Sequence, residues 1–253
     1  MLENIIKNFE ENIQNKNLGE YLMKPFKEGK HYLLGDFKEL MNLTGDLDTK
    51  NILEIISEKN IPINEDCFTL QGHPGIKQLS DGLDISDSSL LISLRKISQN
   101  FILVMLFMET NGILAMCPAL GIVSTGFHEL NNSYEDFSEE LSEALLKDGT
   151  SEDFVIFLSL IPELYTCGDC FIFLLEDTES PKYSGIDPDD LVNDIVSIAI
   201  DPIYRLLLMK GKLKEVKKTP NMKLNIKDLP DLPGDQYLIK NEYNNGYLGY
   251  SNK

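Results

Sequence analysis

LLISLRKISQNFILVMLFMETNGILAMCPALGIV, residues 90–123, is the densest apolar stretch of the 253-residue chain and decides its fold. Asn111-Gly112 lies between two apolar runs, and this dipeptide is typical of a type I′ hairpin because both of its residues accept positive φ. Gln99-Asn100 is a weaker turn signal of the same kind. We therefore predict a three-stranded meander with strands at about 89–98, 101–109 and 112–117, the last continuing towards Val123.

The middle strand has no polar position between Phe101 and Met108. Such a strand is typical of a sheet that is covered on both faces. Amphipathic helices predicted at 133–147 and 188–200 would supply this cover, and a further buried strand is predicted near 170–175. The sequence thus predicts an α+β fold, in which a central, largely antiparallel sheet is covered by amphipathic helices.

The N-terminal part of the chain predicts shorter elements. Apolar residues at helical spacing indicate a helix over residues 2–15, which Asn17-Leu18-Gly19 would end. Pro25, Gly29 and Gly35 are expected to interrupt any long element that follows. We also predict a short helix capped by Asp36, a helix over 49–59 capped by Asp48, and a short strand near 67–70.

The C-terminal part of the chain begins with a predicted helix at Asp201-Pro202, where an N-cap is followed by an N1 proline. From Lys212 the sequence becomes basic, and then rich in Pro, Asn and Tyr. Asn245-Gly246 could close a short hairpin. We predict one α+β domain over residues 1–227 and a C-terminal appendage over residues 228–253.

The sequence favours a soluble, cytoplasmic protein. Phe101–Val123 is apolar enough to resemble a membrane span, but Glu109-Thr110-Asn111-Gly112 divides it into two strand-length halves. The first residues have no continuous apolar segment typical of a secretory signal. Four unevenly spaced cysteines do not suggest a disulfide framework in a chain of this size.

The net charge of −18 is distributed very unevenly along the chain. Residues 129–201, here called the acidic segment, hold 19 acidic and two basic residues. Residues 202–227, the basic segment, hold eight basic residues and one acidic residue. Charge of this kind concerns partners and solubility more than fold. Direct binding to nucleic acid is disfavoured, because phosphate contacts require basic surface.

The acidic segment predicts an interaction surface for a basic protein partner, by which an inhibitor or neutralising protein, of the immunity, antitoxin or anti-defence type, would engage its target. The competing interpretation is a solvated surface that only maintains solubility. No cofactor or metal is predicted for this function. The predicted partner-binding residues are Glu135, Asp136, Glu139, Glu140, Glu143, Asp187, Asp189, Asp190 and Asp194.

Two motifs support the alternative of an enzyme, or of a metal or redox protein. Cys167-Gly168-Asp169-Cys170 has the spacing of a dithiol or half a metal site, although Gly-Asp between two strands also predicts a simple hairpin. The carboxylates from Asp187 to Asp194 could hold a metal, but acidic residues are also favoured in the first turn of a helix. No catalytic signature accompanies either motif, and the sequence favours a protein that is not an enzyme.

Overall fold

The structure is a computed structural model that describes residues 16–44, 67–79, 82, 84–97, 101–110, 113–124, 141–144, 146–147, 163–167, 170–174, 187, 190, 194, 198, 201–208, 213–220, 222, 234–241, 247–248 and 250. Its core is a mixed sheet accompanied by short helices, an α+β arrangement. The strands are β1 Lys30–Asp36, β2 Cys67–His73, β3 Ser89–Lys96, β4 Phe101–Thr110, β5 Ile113–Ser124, β6 Glu163–Cys167, β7 Cys170–Leu174, β8 Leu213–Lys217 and β9 Gln236–Asn241. The helices are α1 Lys16–Glu28, α2 Phe37–Thr44 and α3 Asp201–Leu208.

Nine strands form one sheet in the order β6-β7-β5-β4-β3-β2-β1-β9-β8. The meander predicted from residues 90–123 is present as β3, β4 and β5, which pair antiparallel in sequence order. The strand predicted near 170–175 is β7, which pairs with β5 and with β6. Both turn dipeptides that suggested the meander, Gln99-Asn100 and Asn111-Gly112, lie outside the described residues.

The other half of the sheet contains its two parallel pairings. Strand β1 runs parallel to β2 on one side and to β9 on the other, while β8 pairs antiparallel with β9. The short strand predicted near 67–70 extends to His73 as β2. Strands β1, β8 and β9 were not predicted, because their sequences mix charged and apolar residues over only five to seven positions.

Helix α1 corrects two expectations about the N-terminal part of the chain. Asn17-Leu18-Gly19 does not end a helix, since all three residues lie inside α1. Pro25 also lies inside α1 and does not interrupt it. The helix stops instead at Gly29, whose backbone N–H donates to the Pro25 carbonyl at 3.2 Å.

Tertiary contacts explain why α1 tolerates Pro25. Proline has no N–H, so in an α-helix the carbonyl four residues earlier, that of Tyr21, lacks its usual donor. The Arg95 side chain of β3 donates from Nη1 to this carbonyl at 3.2 Å. Its guanidinium also lies over the Tyr21 ring, with Cζ 3.6 Å from the ring centroid. A residue of the sheet therefore replaces the missing helical hydrogen bond and holds α1 against β3.

Helix α2 begins where the sequence predicts. The Asp36 carboxylate accepts a hydrogen bond from the Lys38 backbone N–H at 2.7 Å, which satisfies one of the free donors of the first turn. Gly35, just before the cap, has a φ of 62° and lies at a register shift between β1 and β2. This left-handed conformation favours glycine and lets the chain leave β1 directly into α2.

One side of the sheet, the apolar face, is continuous across five strands and is packed against α2 and α3. Leu70 of β2 is paired directly with Ile92 of β3, and Val104 of β4 lies diagonally opposite Ile92. All three side chains are buried. Burying a side chain of this size contributes about 1.5–3 kcal/mol to folding. The buried members of this cluster are Tyr32, Leu34, Phe37, Leu40, Phe68, Leu70, Ile85, Leu90, Ile92, Leu94, Ile102, Val104, Leu106, Ile198, Ile203, Leu206, Ile239 and Leu248.

The opposite side, the mixed face, buries polar as well as apolar side chains and carries α1. One row across four strands runs through His31, Thr69, Ser93 and Met105, which are paired in register. All four are buried. Phe26 of α1 packs on this face, edge-on to Phe107 of β4, with ring centroids 5.1 Å apart. Side chains on both faces of β2, β3 and β4 are therefore buried.

The segment predicted as a C-terminal appendage, residues 228–253, supplies an interior strand. Strand β9 lies between β1 and β8, and Leu238 and Ile239 are buried. Antiparallel bridges join Lys240 to Tyr247 and Tyr247 to Tyr250, and the hairpin dipeptide predicted at Asn245-Gly246 lies outside the described residues. The exact domain boundary at 227 stays a prediction, but the described residues after it belong to the sheet and its core.

Several predicted helices lie wholly or partly outside the described residues. Those predicted at 2–15 and 49–59 lie outside them completely. Of the two predicted covering helices, residues 141–144 and 146–147 are helical, as are Asp190 and Asp194. Ile198 is buried in the cluster of the apolar face. Among the described helices, none is long and apolar enough to cross a membrane.

Candidate functional site

The helical turns at 141–147 carry the first of the predicted partner-binding residues. Leu141 and Ala144 are buried, whereas Glu143 and Lys147 are exposed, so this part of the predicted helix is amphipathic. Lys147 Nζ donates to Glu143 Oε2 at 3.0 Å across one helical turn. An exposed i, i+4 pair of this kind is worth only about 0.3–0.5 kcal/mol. Glu143 is thus accessible to a partner even though it has an intramolecular neighbour.

Asp187, Asp190 and Asp194 form the described part of the second acidic group. Asp187 and Asp190 are exposed, and Asp194 is half-buried. Asp190 and Asp194 are both helical. That their spacing of four places them on one side of a helix stays a prediction. The remaining predicted partner-binding residues, Glu135, Asp136, Glu139, Glu140 and Asp189, lie outside the described residues.

Asp201, the last residue of the acidic segment, has a structural role. Its Oδ2 accepts a hydrogen bond of 2.6 Å from Nε of Arg205, one turn later in α3. The Arg205 side chain is 8% exposed and the Asp201 side chain 20% exposed. A buried guanidinium needs a partner of opposite charge, and the Asp201 carboxylate supplies it for Arg205. Asp201 therefore does not contribute to a surface for a partner.

Strand β8 of the basic segment lies at the opposite end of the sheet order from β6 and β7, which belong to the acidic segment. In β8, Glu215 accepts hydrogen bonds from Lys30 at 3.1 Å and from the Tyr32 hydroxyl at 2.7 Å, which ties β8 to β1 across β9. Lys217 forms an ion pair with Asp235, and this carboxylate raises the pKa of the lysine. The described strands of the two oppositely charged segments thus lie at opposite ends of one sheet.

A histidine and a threonine on the mixed face have the spacing of a base and a hydroxyl nucleophile. His31 Nδ1 and Thr69 Oγ1 share a hydrogen bond of 2.8 Å. However, His31 is 2% exposed and Thr69 is fully buried. A nucleophile must meet its substrate, and neither atom is accessible in this arrangement. We interpret the pair as a buried hydrogen bond that fixes the register of β1 and β2.

Two further polar side chains lie near the ends of β1 and β2. His73 donates from Nδ1 to the Ser88 carbonyl at 3.0 Å, which links the end of β2 to the start of β3. Tyr250 packs with Leu33 and Leu238 on the mixed face. Its Oη forms no hydrogen bond of normal geometry, and burial raises the pKa of this phenol, an effect that the nearby Gly35 backbone partly offsets. These groups are structural, since each is enclosed by strands or by the C-terminal segment.

The Cys167-Gly168-Asp169-Cys170 motif joins the two strands of a hairpin. Strands β6 and β7 are antiparallel, and Cys167 is paired directly with Cys170. This agrees with the hairpin interpretation and not with a motif that opens a helix after a strand. The structure contains no cluster of three or more potential metal-ligating residues within the part of the chain that it describes.

The polar row of the mixed face was missed by sequence reasoning. The alternation of Leu90, Ile92 and Leu94 with Leu91, Ser93 and Arg95 in β3 predicts one mostly apolar face and one partly solvent-exposed face. In the structure both Ser93 and Arg95 are buried, and Arg95 reaches the helix that carries Pro25. The sequence signal was an arginine inside a strand together with a proline inside a helix. Neither one alone indicates that the two segments are in contact.

Comparison with known proteins gives no assignment of family or fold. No protein-family model, no curated protein and no solved structure matches this chain.

Proposed function

We propose that this chain is an acidic binding module that engages a basic protein partner through the acidic segment, as an inhibitor or neutralising protein of the immunity, antitoxin or anti-defence type. The observation that carries the proposal is the concentration of 19 acidic and two basic residues between positions 129 and 201. A cytoplasmic location and a protein partner, not nucleic acid or a membrane, belong to the same proposal.

Few basic residues within the acidic segment can neutralise its negative charge. Lys147 and Lys182 are its only basic residues. Lys147 pairs with Glu143, and the Asp201 carboxylate is occupied by Arg205. At least three of the predicted carboxylates, those of Glu143, Asp187 and Asp190, are on exposed residues. A surface of this sign steers a basic partner during association and raises the association rate.

The test compares two variants that lose the same number of charges. One carries Glu135→Gln, Asp136→Asn, Glu139→Gln and Glu140→Gln. The control carries Glu20→Gln, Glu28→Gln, Asp84→Asn and Asp87→Asn, which lie outside the acidic segment. Each protein is immobilised, exposed to extract of its native host, and washed at low salt and then at about 0.5 M salt, where screening is nearly complete.

The proposal requires one basic protein that binds the wild type and the control at low salt, is released by salt, and binds the acidic-segment variant at least tenfold more weakly. Equal retention by both variants would mean that net charge, and not the acidic segment, attracts the protein. A wild-type chain that retains no salt-sensitive basic protein would contradict the proposal.

A second candidate is redox chemistry at Cys167 and Cys170. Residues paired directly across an antiparallel ladder have Cα atoms about 4.5–5.5 Å apart, which falls within the range that a disulfide spans. Thiol titration and mass measurement before and after mild oxidation test this candidate, together with metal analysis for the cysteines and for the Asp187–Asp194 cluster. Absence of bound metal, with no loss of two thiols on oxidation, would remove both alternatives.

A further inference from the structure

Strands β8 and β9 place two lysines directly opposite each other. Lys214 of β8 is paired in register with Lys240 of β9. Lys214 is exposed and Lys240 is half-buried. Like charges in this position repel, because directly opposed side chains lie about 4.5–5.5 Å apart at their Cβ atoms. The pair therefore destabilises the hairpin unless an anion lies between the two ammonium groups.

Three other lysines described around this hairpin have acceptors. Lys217 pairs with Asp235, Lys218 donates to the Gln236 side chain at 2.7 Å, and Lys30 donates to Glu215. Among the described residues, no carboxylate forms an ion pair with Lys214 or Lys240. Glu242, two positions after Lys240 in the sequence, lies outside the described residues. The Lys214 and Lys240 pair is thus the place in the hairpin where positive charge accumulates.

The surroundings of this pair strengthen its attraction for an anion. Residues two positions apart in a strand share a face, so Lys240 lies beside Leu238, and Lys214 beside Val216. Leu238 is completely buried and packs with Tyr250 and the partly buried Tyr247, which is bridged to Lys240. An apolar wall on one side lowers the local dielectric constant and so increases the Coulomb energy of an ion pair.

We propose that Lys214 and Lys240 together bind an oxyanion, either a phosphate or a carboxylate group, at the end of the β8–β9 hairpin where Leu213 is paired with Asn241. The ligand has two possible sources with the same chemistry. One is a free molecule that carries phosphate or carboxylate. The other is the acidic segment of a second copy of this chain, whose sign is complementary to that of the hairpin. This site has the opposite sign to the surface in the proposed function and does not depend on it.

The first arm of the test uses inorganic phosphate alone as the probe. Thermal unfolding is measured for the wild type, Lys214→Gln, Lys240→Gln and Lys217→Gln, in phosphate and in sodium chloride of equal ionic strength. Lys217→Gln is the matched control because it removes the same charge from the same strand, at a lysine that already has a carboxylate partner. Binding of phosphate to the folded state should raise Tm by about 2–4 °C when phosphate is well above its Kd.

The expected result is a phosphate-dependent rise in Tm for the wild type and Lys217→Gln, and a rise at least halved in Lys214→Gln and Lys240→Gln. Backbone amide shifts in the wild type should move within 213–217 and 236–241. No response in the wild type, or the same response in all four proteins, would overturn the proposal.

The second arm distinguishes the two sources by sedimentation velocity at low salt. If carboxylates of a second copy fill the site, the wild type forms a dimer or larger assembly that phosphate dissociates and that Lys214→Gln prevents. If the wild type stays monomeric while the phosphate response of the first arm is present, the oxyanion is a free ligand. Assembly that is unaffected by phosphate and by both lysine variants counts against the proposal.

Discussion

On the apolar face of the sheet, β2, β3 and β4 present Leu70, Ile92 and Val104 to helices α2 and α3, whereas on the mixed face the same strands present Thr69, Ser93 and Met105. Both faces are buried, but by different means. The apolar face removes hydrocarbon from water, while the mixed face must also satisfy each polar group that it encloses. The difference shows that a strand with buried residues throughout can have one face held by packing and another held by specific hydrogen bonds.

This difference also constrains strand register. Side chains alternate between the faces, so a slip of one residue would move Thr69 into the apolar cluster and Leu70 out of it. The Thr69 hydroxyl would then lose His31 and find no partner among aliphatic side chains. Polar groups on one face thus specify the register that the apolar face alone would specify less strictly.

The largest effect should come from the apolar face. Ile92→Ala removes a fully buried side chain from the centre of the cluster, and we expect the free energy of unfolding to fall by about 2–5 kcal/mol. Urea denaturation measures this loss. Ser93→Ala, its neighbour on the mixed face, should cost much less because it deletes one small hydroxyl. Equal losses for the two variants would mean that the faces do not differ in how they contribute to stability.

Arg95→Met should lower the free energy of unfolding by about 2–3 kcal/mol, because the Tyr21 carbonyl loses its donor and the guanidinium–ring contact disappears. Pro25→Ala restores a backbone N–H to α1, so the double variant Arg95→Met with Pro25→Ala should recover part of this loss. A double-mutant cycle by urea denaturation measures the coupling. Strictly additive effects would show that Arg95 does not replace the missing helical hydrogen bond.

Thr69→Val tests the polar row directly, since the two side chains have nearly the same shape. It leaves Nδ1 of the buried His31 without its 2.8 Å partner, and we expect a loss of about 1–3 kcal/mol in the free energy of unfolding. Thr69→Ser keeps the hydroxyl and is the control. If the valine variant is as stable as the serine variant, the hydrogen bond is not what holds this face.

Tyr250→Phe should change how stability depends on alkaline pH. Burial raises the pKa of the Tyr250 phenol above its unfolded value near 10, so the folded state keeps its proton when the unfolded state has lost it. The stability that this raised pKa contributes is fully present below pH 10 and is lost as the pH rises further. The wild type should therefore lose about 1.4 kcal/mol per pH unit more than the variant above pH 10. Urea denaturation of both proteins between pH 8 and pH 11, about one unit above the unfolded-state pKa, measures this difference. Equal losses of stability in the two proteins would contradict the prediction.

The smallest effect is expected at the end of the mixed face, and its sign is reversed. Lys214→Gln relieves the repulsion from Lys240, so in the absence of oxyanions it should raise the free energy of unfolding by about 0.2–1 kcal/mol. High salt should abolish the gain because the charges are then screened. Lys217→Gln should give no gain, as that lysine has Asp235 beside it. Stabilisation by both variants would point to the general basic charge of β8.

The central meander could be predicted from the sequence because its signals are local. Residues 90–123 combine long apolar runs with turn dipeptides, and the structure has strands where these patterns place them. Asp36 predicted the start of α2 for the same reason, since a cap acts within two or three residues. Strands β1 and β9 could not be predicted in this way. Each pairs on one side with the other, and no local window contains two strands from opposite ends of the chain.

Only the charge of the candidate site could be predicted from the sequence. The acidic segment is visible in the sequence because charge can be summed along a chain, and its role as a binding surface stays a prediction. The Lys214 and Lys240 pair was not visible, because the two residues become neighbours only through the register of β8 and β9. Likewise, the role of Asp201 required the position of Arg205 beneath the sheet.

The position of β9 has a consequence for the order in which the molecule can be assembled during synthesis. Strand β1 is translated before the other described strands, yet one of its two pairing sides is filled by β9, the last described strand in the sequence. Until β9 has left the ribosome, the nascent chain therefore carries an open parallel edge beside the aliphatic residues of β1. Pairing between such distant segments closes slowly, because the entropy of closing a long loop is lost before the contact forms. The interval between the synthesis of β1 and that of β9 is when this chain is most exposed to aggregation and most dependent on chaperones.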